Sequence, residues 1–153
     1  MLIRTAALLL ALSLSCLAVA QGDDEAIREV FRSHNQALDA HDIDALMALY
    51  ADNDELVLLG TGPGERWLGQ EAVRNAYLQF MTDFDAGTTD NHCTWTMLGS
   101  RGDAAWLSAM CQVTDYLANV KREFALNLST VLVRDADAWR IQTMHFSNLA
   151  DDE

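Results

Sequence analysis

The stretch "REFALNLSTVLVRDADAWRIQTMHFS", residues 122–147, contains two strand-like segments separated by a short polar link. The segments 122–133 and 138–147 are rich in β-branched and aromatic residues, as strands usually are. Two more segments of this kind, 92–98 and 104–116, precede them, and all the links between the four are short. Because short links join consecutive antiparallel strands, this half of the chain predicts a meander.

A turn at 135–137 would set the register of the last hairpin, because antiparallel strands pair outward from their turn. The inward row then begins with the apolar pairs Val133–Trp139 and Val131–Ile141, and continues with the polar residues Asn127, Ser129, Thr143 and His145. A buried polar group costs about 1–3 kcal/mol unless it is hydrogen-bonded. We therefore expect the polar residues either to satisfy one another or to line a cavity that holds water or a ligand.

The opposite face of these strands is also apolar in that register. It would carry Leu126, Leu128, Leu132, Met144 and Phe146, with Trp106 and Met110 from the neighbouring strand beside them. A sheet that packs one face on helices normally has polar residues on the other, and an exposed apolar patch usually marks a protein interface. We expect a homodimer through this outer face; the alternative is a C-terminal tail or a long loop folded over it.

The first half of the chain has helical periodicity. One stripe at helical spacing consists of Ile27, Val30, Phe31, His34 and Leu38, and a second consists of Val73, Ala76, Tyr77, Phe80, Met81 and Phe84. Asp42 is a candidate cap for a short helix between them, and "ELVLLG" and "ERWL" are typical of two short strands. The order of elements predicts an α+β fold in which three helices cover one face of a curved antiparallel sheet.

Residues 1–20 have the pattern of a cleaved signal peptide. Arg4 precedes a run of Ala, Leu and Ser, and "AVA" at 18–20 has the small residues of a cleavage site. The run is too short for a membrane span, so we expect no transmembrane segment. We expect residues 21–153 to form one exported domain, periplasmic or secreted. The alternative is a lipid anchor at Cys16, because "SLSC" faintly resembles a bacterial lipobox.

The chain is strongly acidic. It has 10 Lys and Arg residues against 23 Asp and Glu residues, a net charge of −13. Such a surface repels phosphate backbones and anionic lipid headgroups, and the sequence shows no basic stripe. We therefore expect no nucleic-acid partner.

Two of the three cysteines are predicted to face each other across a hairpin. A turn at 101–103 places Cys93 directly opposite Cys111, at a separation that a disulfide can bridge. An exported chain meets an oxidising compartment, which permits the bond. The alternative is a pair of buried thiols that act as small hydrophobic groups.

Four segments resemble one protein family in their order and spacing. They are "ALDAHDIDALMALYADN" (37–53), "RWLGQEAVRNAY" (66–77), "GDAAWL" (102–107) and "WRIQTMHFS" (139–147). Together they resemble the SnoaL-like branch of the nuclear transport factor 2-like superfamily, which includes ketosteroid isomerase. The resemblance implies a cone-shaped fold, a pocket between the curved sheet and the helices, and frequent dimers.

The resemblance transfers function only residue by residue. His34 occupies the place of the isomerase's oxyanion-stabilising tyrosine, and Leu58 occupies the place of its proton-shuttling aspartate. A leucine cannot move a proton, so the resemblance does not imply steroid isomerisation by that mechanism. The closing His145-Phe146-Ser147 matches a frequent SnoaL-like signature.

His34 and His145 are the candidates for acid–base chemistry, because imidazole titrates near neutral pH. The candidate ligand contacts are Asn127, Ser129, Thr143, Asp115, Tyr50, Trp67 and Trp95, of which Asp115 could orient a histidine and the last three could form apolar walls. The competing interpretation is that each histidine is a hydrogen-bonded core residue. We expect no metal and no cofactor, because no ligand pair stands at helical spacing and no glycine-rich phosphate loop is present.

Three functions remain open at this point. The first is binding of a small, mostly apolar molecule in the pocket between sheet and helices. The second is an isomerase, lyase or hydrolase that uses His145 or His34 as a general base. The third is a dimerisation or assembly module without catalysis, which a filled cone would favour.

Overall fold

The structure, a computed structural model, describes residues 23–148. The predicted signal peptide, its cleavage site and Cys16 therefore lie outside the described residues.

Three helices and two short strands precede four long strands, in the predicted order. The helices are α1 (23–39), α2 (Ile43–Met47) and α3 (Gly69–Phe80), the last followed by a 3₁₀ turn at Met81–Asp83. The strands are β1 (Val57–Leu59), β2 (Arg66–Leu68), β3 (Asp90–Arg101), β4 (Ala104–Leu117), β5 (Val120–Asp135) and β6 (Ala138–Asn148).

The six strands form one sheet in the order β2-β1-β6-β5-β4-β3. The four long strands form the predicted antiparallel meander, and β1 joins it as a parallel neighbour of β6. One face of the sheet packs on the helices, and the fold is α+β as expected.

Local sequence signals explain how two of the helices begin. The Asp42 carboxylate accepts a hydrogen bond from the backbone N–H of Ala45 at 2.9 Å, which confirms the predicted cap of α2. Helix α3 begins at Gly69, whose φ of +75° lies in the left-handed region that other residues rarely adopt. This glycine allows the chain to turn directly from β2 into α3.

The predicted register of the β5–β6 hairpin is wrong. The turn contains two residues, Ala136 and Asp137, so that Asp135 pairs with Ala138. The register then shifts once more, because Leu132 pairs with Ile141 but Val131 pairs with Thr143. Every such shift moves side chains to the opposite face of the sheet.

The two shifts together exchange the predicted faces of β5, including Val131, and of β6 beyond residue 142, whereas Trp139 and Ile141 are buried on the inner face as predicted. The residues Leu128, Thr130, Leu132 and Met144 are buried on the inner face, with Leu126 and Phe146 partly buried beside them. The polar residues Asn127, Ser129, Thr143 and His145 lie on the outer face instead. The predicted polar inner row is therefore absent from the described sheet, and most of the predicted outer apolar patch belongs to the core.

The β3–β4 hairpin pairs its cysteines as predicted, although its turn also has two residues. Arg101 pairs with Ala104 across the turn, which alone would move Cys93 out of line with Cys111. A bulge at Thr94 shifts the register back by one residue, and the two cysteines then stand opposite each other. The structure contains the Cys93–Cys111 disulfide.

Large apolar side chains fill the space between α1 and the inner face of the sheet. Ile27 on α1, Leu107 on β4, Leu132 on β5 and Ile141 on β6 are each at most 1% exposed. Within residues 23–148, the void among these side chains has a volume of about 10 Å³. That volume is close to one water-sized probe, so the space between α1 and this part of the sheet is filled.

Candidate functional site

Three polar side chains meet inside the apolar core. Nε2 of His34 lies 2.9 Å from the hydroxyl oxygen of Tyr50 and 3.2 Å from that of Tyr77. The two tyrosine hydroxyls are also hydrogen-bonded to each other. All three side chains are at most 3% exposed, and we call them the His34 cluster.

Each member of the His34 cluster comes from a different element. His34 lies on the apolar stripe of α1, and Tyr77 lies on the buried stripe of α3. Tyr50 follows α2, where the N–H of Ala51 donates to the carbonyl oxygen of Ile141 at 2.9 Å and fixes the chain to β6. Packing of both helices against the sheet thus brings the three polar tips together.

Burial sets the protonation of the His34 cluster. Desolvation lowers the pKa of His34 from 6.5 to about 4, against a small opposing effect of its hydrogen bond with Asn35. Desolvation also raises the pKa of Tyr50 and of Tyr77 above 10. At neutral pH all three groups are therefore uncharged.

A neutral imidazole has one N–H donor and one acceptor nitrogen. Nδ1 of His34 lies 3.4 Å from the side-chain carbonyl oxygen of Asn35, an acceptor, which assigns the N–H to Nδ1. Nε2 is then the acceptor for one tyrosine hydroxyl, with that of Tyr50 the nearer, and the other hydroxyl donates to the oxygen of the first. The cluster satisfies its own polar atoms, and a core histidine of this kind is what the competing interpretation predicts.

Asp115 is buried on the inner face of β4, as expected. Its two carboxylate oxygens accept hydrogen bonds from Nε and Nη2 of Arg122, at 2.6 and 2.7 Å. Asp115 is 2% exposed, whereas the Arg122 side chain is 36% exposed, so the pair extends from the buried inner face toward solvent. The expected histidine partner of Asp115 is replaced by an arginine.

The remaining predicted contact residues lie away from the His34 cluster. His145 and Ser129 are exposed on the outer face, with the half-buried Asn127 and Thr143. Trp95 is 47% exposed on the outer side of β3 and cannot form a pocket wall. Trp67 pairs with the buried Leu58 and packs against the edge of the core. The interior position predicted for His145 as a general base is therefore wrong.

Tyr77 is the member of the cluster that the sequence reasoning did not single out. It was visible only as one apolar position in the stripe of α3. The sequence did contain a signal for it. Each of the two helical stripes has one ring that carries a polar group, His34 in α1 and Tyr77 in α3, among apolar residues. Such a polar group needs a partner when it is buried.

A second concavity lies on the surface next to α2. It has a volume of about 460 Å³ and is lined by Asp44, Met47, Ala48, Tyr50, Asp52, Gln70, Asp135 and Arg140. Two of its polar side chains are bound to the protein, since Arg140 donates to the carbonyl oxygen of Ala48 and Gln70 donates to that of Ala51. The hollow reaches Tyr50 from outside the cone.

The described residues place no three His, Cys, Asp or Glu side chains together as a metal site would require. Between residues 23 and 148, no helix is both long and apolar enough to cross a membrane.

Comparison with known proteins agrees with the fold. An NTF2-like protein of unknown function from Pseudomonas putida is 18% identical, with a TM-score of 0.74, 88% of this chain covered and 92% of that one. An NTF2-like protein with a cystatin-like fold from Novosphingobium aromaticivorans is 19% identical, with a TM-score of 0.73 and coverages of 94% and 90%. A ketosteroid isomerase-like protein from Erwinia carotovora is 19% identical, with a TM-score of 0.66 and coverages of 83% and 96%.

At these identities the similarity shows the fold alone. No curated protein matches the chain. The family model of the SnoaL-like domain matches residues 27–151, which is most of the sequence. The chain therefore belongs to the SnoaL-like family, and its fold is similar to that of NTF2-like proteins.

Proposed function

We propose that this chain is an association module that forms a homodimer through the outer face of its sheet. The observation that supports the proposal is a set of large apolar side chains on that face, which we call the outer patch. Its members and their exposed fractions are Trp95 47%, Met97 59%, Trp106 45%, Met110 46% and Val131 43%. Contiguous exposed apolar surface rimmed by polar residues is typical of a protein interface.

The distribution of charge favours a second copy as the partner. The chain has a net charge of −13, so two copies repel each other over most of their surfaces. The outward residues in the middle of β4, namely Trp106, Ser108, Met110 and Gln112, carry no charge. Two equally acidic chains can approach closely only along such an uncharged strip.

The outer patch is also large enough to contribute the centre of an interface. Five large side chains that are each about half exposed offer on the order of 500 Å² of apolar surface. A stable interface buries about 800 Å² on each partner, with a polar rim around an apolar core. Ser108, Asn127, Ser129 and His145 lie beside the patch and can supply that rim.

Trp106 is the expected anchor of the interface. It stands opposite Gly99 on β3, and a Cβ at Gly99 would lie 2.7 Å from Cζ2 of the indole. The indole ring therefore lies flat over the glycine, and this contact holds it in place on the outer face. Pre-positioned aromatic side chains of this kind are typical interface hot spots.

Replacement of Trp106 by Ser is expected to weaken dimerisation at least about 30-fold, the effect of losing a hot spot worth about 2 kcal/mol. Sedimentation equilibrium over a concentration series measures the dissociation constant. Leu78→Ser is the matched control, because Leu78 is 44% exposed but lies on α3, away from the sheet. The proposal is wrong if the unmodified chain is monomeric, or if both variants weaken the dimer equally.

A second candidate function is the binding of a small, mostly apolar molecule at the His34 cluster. The observation that favours it is the cluster itself, because replacing hydrogen-bonded polar partners in a core by apolar groups of the same shape can be neutral or stabilising. A ligand would have to displace core side chains, since drug-sized ligands need about 300–1,000 Å³ and the void between α1 and the sheet is about 10 Å³. The surface hollow next to Tyr50 is the nearest route of entry.

Native mass spectrometry of protein purified from its own compartment tests this second function. A bound small molecule that is released when His34 is replaced by Leu would support it, and a chain that carries only its own mass would exclude it. The same spectrum tests export, which the segment 1–20 and the Cys93–Cys111 disulfide support. An exported chain is expected to begin at Gln21.

A further inference from the structure

We propose that protonation of His145 opposes pairing through the outer face, so that the homodimer dissociates as the pH falls. This inference rests on the proposed function, because it concerns the regulation of the same surface. It would make the association state of an exported protein respond to the acidity of its surroundings.

The position of His145 is the first observation. It pairs directly with Ser129 on β5 and with Leu59 on β1, on the outer side of the sheet. The same row continues across the sheet to Ser108 and to Met97, a member of the outer patch. His145 is exposed in the isolated chain, and it would lose contact with water in a dimer that covers this row.

The second observation is that His145 has no carboxylate beside it. Its neighbours on β5 and β1, in the part of the chain that the structure describes, are Ser129, Leu59 and their uncharged flanking residues. The titratable and charged residues that face this side from the strands are Arg66, Asp90, His92, Arg101, Tyr116, Lys121, Glu123, Asp135 and Arg140. On β5, Asp135 lies four residues from Val131, and the more distant Lys121 and Glu123 form an ion pair with each other at 2.7 Å.

These surroundings determine the direction of the effect. A charged imidazolium that is removed from water without an anionic partner is unfavourable, whereas a neutral imidazole can pair with serine or asparagine. The dimer therefore prefers neutral His145, and the free chain accepts the proton more readily. Histidine is the side chain whose charge normally changes between about pH 5 and 8, so dissociation is expected in that range.

The overall charge of the chain predicts the opposite trend. The sequence has a pI of about 4.4, so acidification toward that value reduces the repulsion between two copies. Without His145, the dimer is expected to tighten as the pH falls. The sign of the pH dependence therefore separates the effect of His145 from that of the general surface charge.

The experiment measures the dissociation constant by sedimentation equilibrium at about pH 7.5 and about pH 5.5, at constant ionic strength. For the unmodified chain we expect the constant to rise at least about 10-fold at the lower pH, since a symmetric dimer contains two copies of the group. His145→Gln keeps a polar side chain but removes the titration, so this variant should bind equally or more tightly at the lower pH. His92→Gln is the comparison variant, because His92 is also exposed on the outer face, opposite Gln112, and the two variants together show which histidine causes the pH dependence.

Each outcome separates the two proposals. If the chain dimerises at the higher pH and the dimer is no weaker at the lower pH, the inference is overturned and the proposed function remains intact. Loss of the pH dependence in His92→Gln, but not in His145→Gln, overturns it as well. A chain that is monomeric at both pH values overturns the proposed function, and the inference with it.

Discussion

Reduction of the Cys93–Cys111 disulfide is expected to lower the free energy of unfolding by about 3 kcal/mol. The bond joins two residues that are 18 positions apart in sequence, and it restricts the unfolded chain over that loop. Cys111 is 3% exposed and Cys93 is partly buried against the core, so the folded sheet holds both sulfurs in place whether or not they are bonded. The loss should therefore arise mainly in the unfolded state, and the secondary structure should be unchanged.

Urea unfolding of the same sample with and without a thiol reductant measures this difference. The double variant Cys93→Ala/Cys111→Ala is the control, because the reductant should have no effect on it. A free energy of unfolding that is equal with and without reductant would show that this bond does not stabilise the fold.

Periodicity and link length were sufficient to predict most of this architecture. The helical stripes of α1 and α3 and the four strand-like segments gave the element order, and this order led to an α+β fold that the structure confirms. These signals extend over many residues, so that single exceptions do not change the assignment. The resemblance to the SnoaL-like family pointed to the same fold.

The register of the last hairpin could not be predicted from such patterns. Its turn consists of Ala136 and Asp137, and Ala136 has a φ of +52°, a conformation in which glycine or asparagine is expected. Nothing in "RDADA" therefore indicated a two-residue turn. The irregularity between Val131 and Leu132 added a second displacement, and bulges have no strong sequence signature.

Because of this error in register, only some of the candidate site residues were predicted on the correct face. His34 was identified from its place on the stripe of α1, and Tyr50 as a residue facing the interior; both positions depend on helices and on a short bridge to β6. His145 depended on the parity of a strand, and a shift of one residue was enough to move it to the outer face. The face on which a helical residue lies changes little when the helix boundary is uncertain by one residue. The face on which a strand residue lies is reversed by a register error of one residue.

Below about pH 6.5 the folded chain is expected to lose about 3 kcal/mol of stability as His34 takes up a proton in the unfolded state. The pKa of His34 is about 4 in the folded chain, against an ordinary value of 6.5. Because the folded pKa is the lower one, this stability is fully present above pH 6.5. It is lost progressively as the pH falls from 6.5 toward 4, where the folded state must also accept the proton within the core.

The slope of stability against pH measures this effect in the variant His34→Gln. The amide can still bond to Tyr50 and Tyr77 but does not titrate, so the decrease in stability between pH 6.5 and 4 should be smaller by about 3 kcal/mol than in the parent chain. Both chains should also carry Trp106→Ser, so that dissociation of a dimer does not contribute to the slope. Leu78→Ser, which changes an exposed position without removing a titratable group, should leave the slope unaltered. Equal slopes with and without His34 would mean that water reaches the imidazole ring. The interior would then be open enough to admit a ligand, and ligand binding would be favoured over association as the function of the chain.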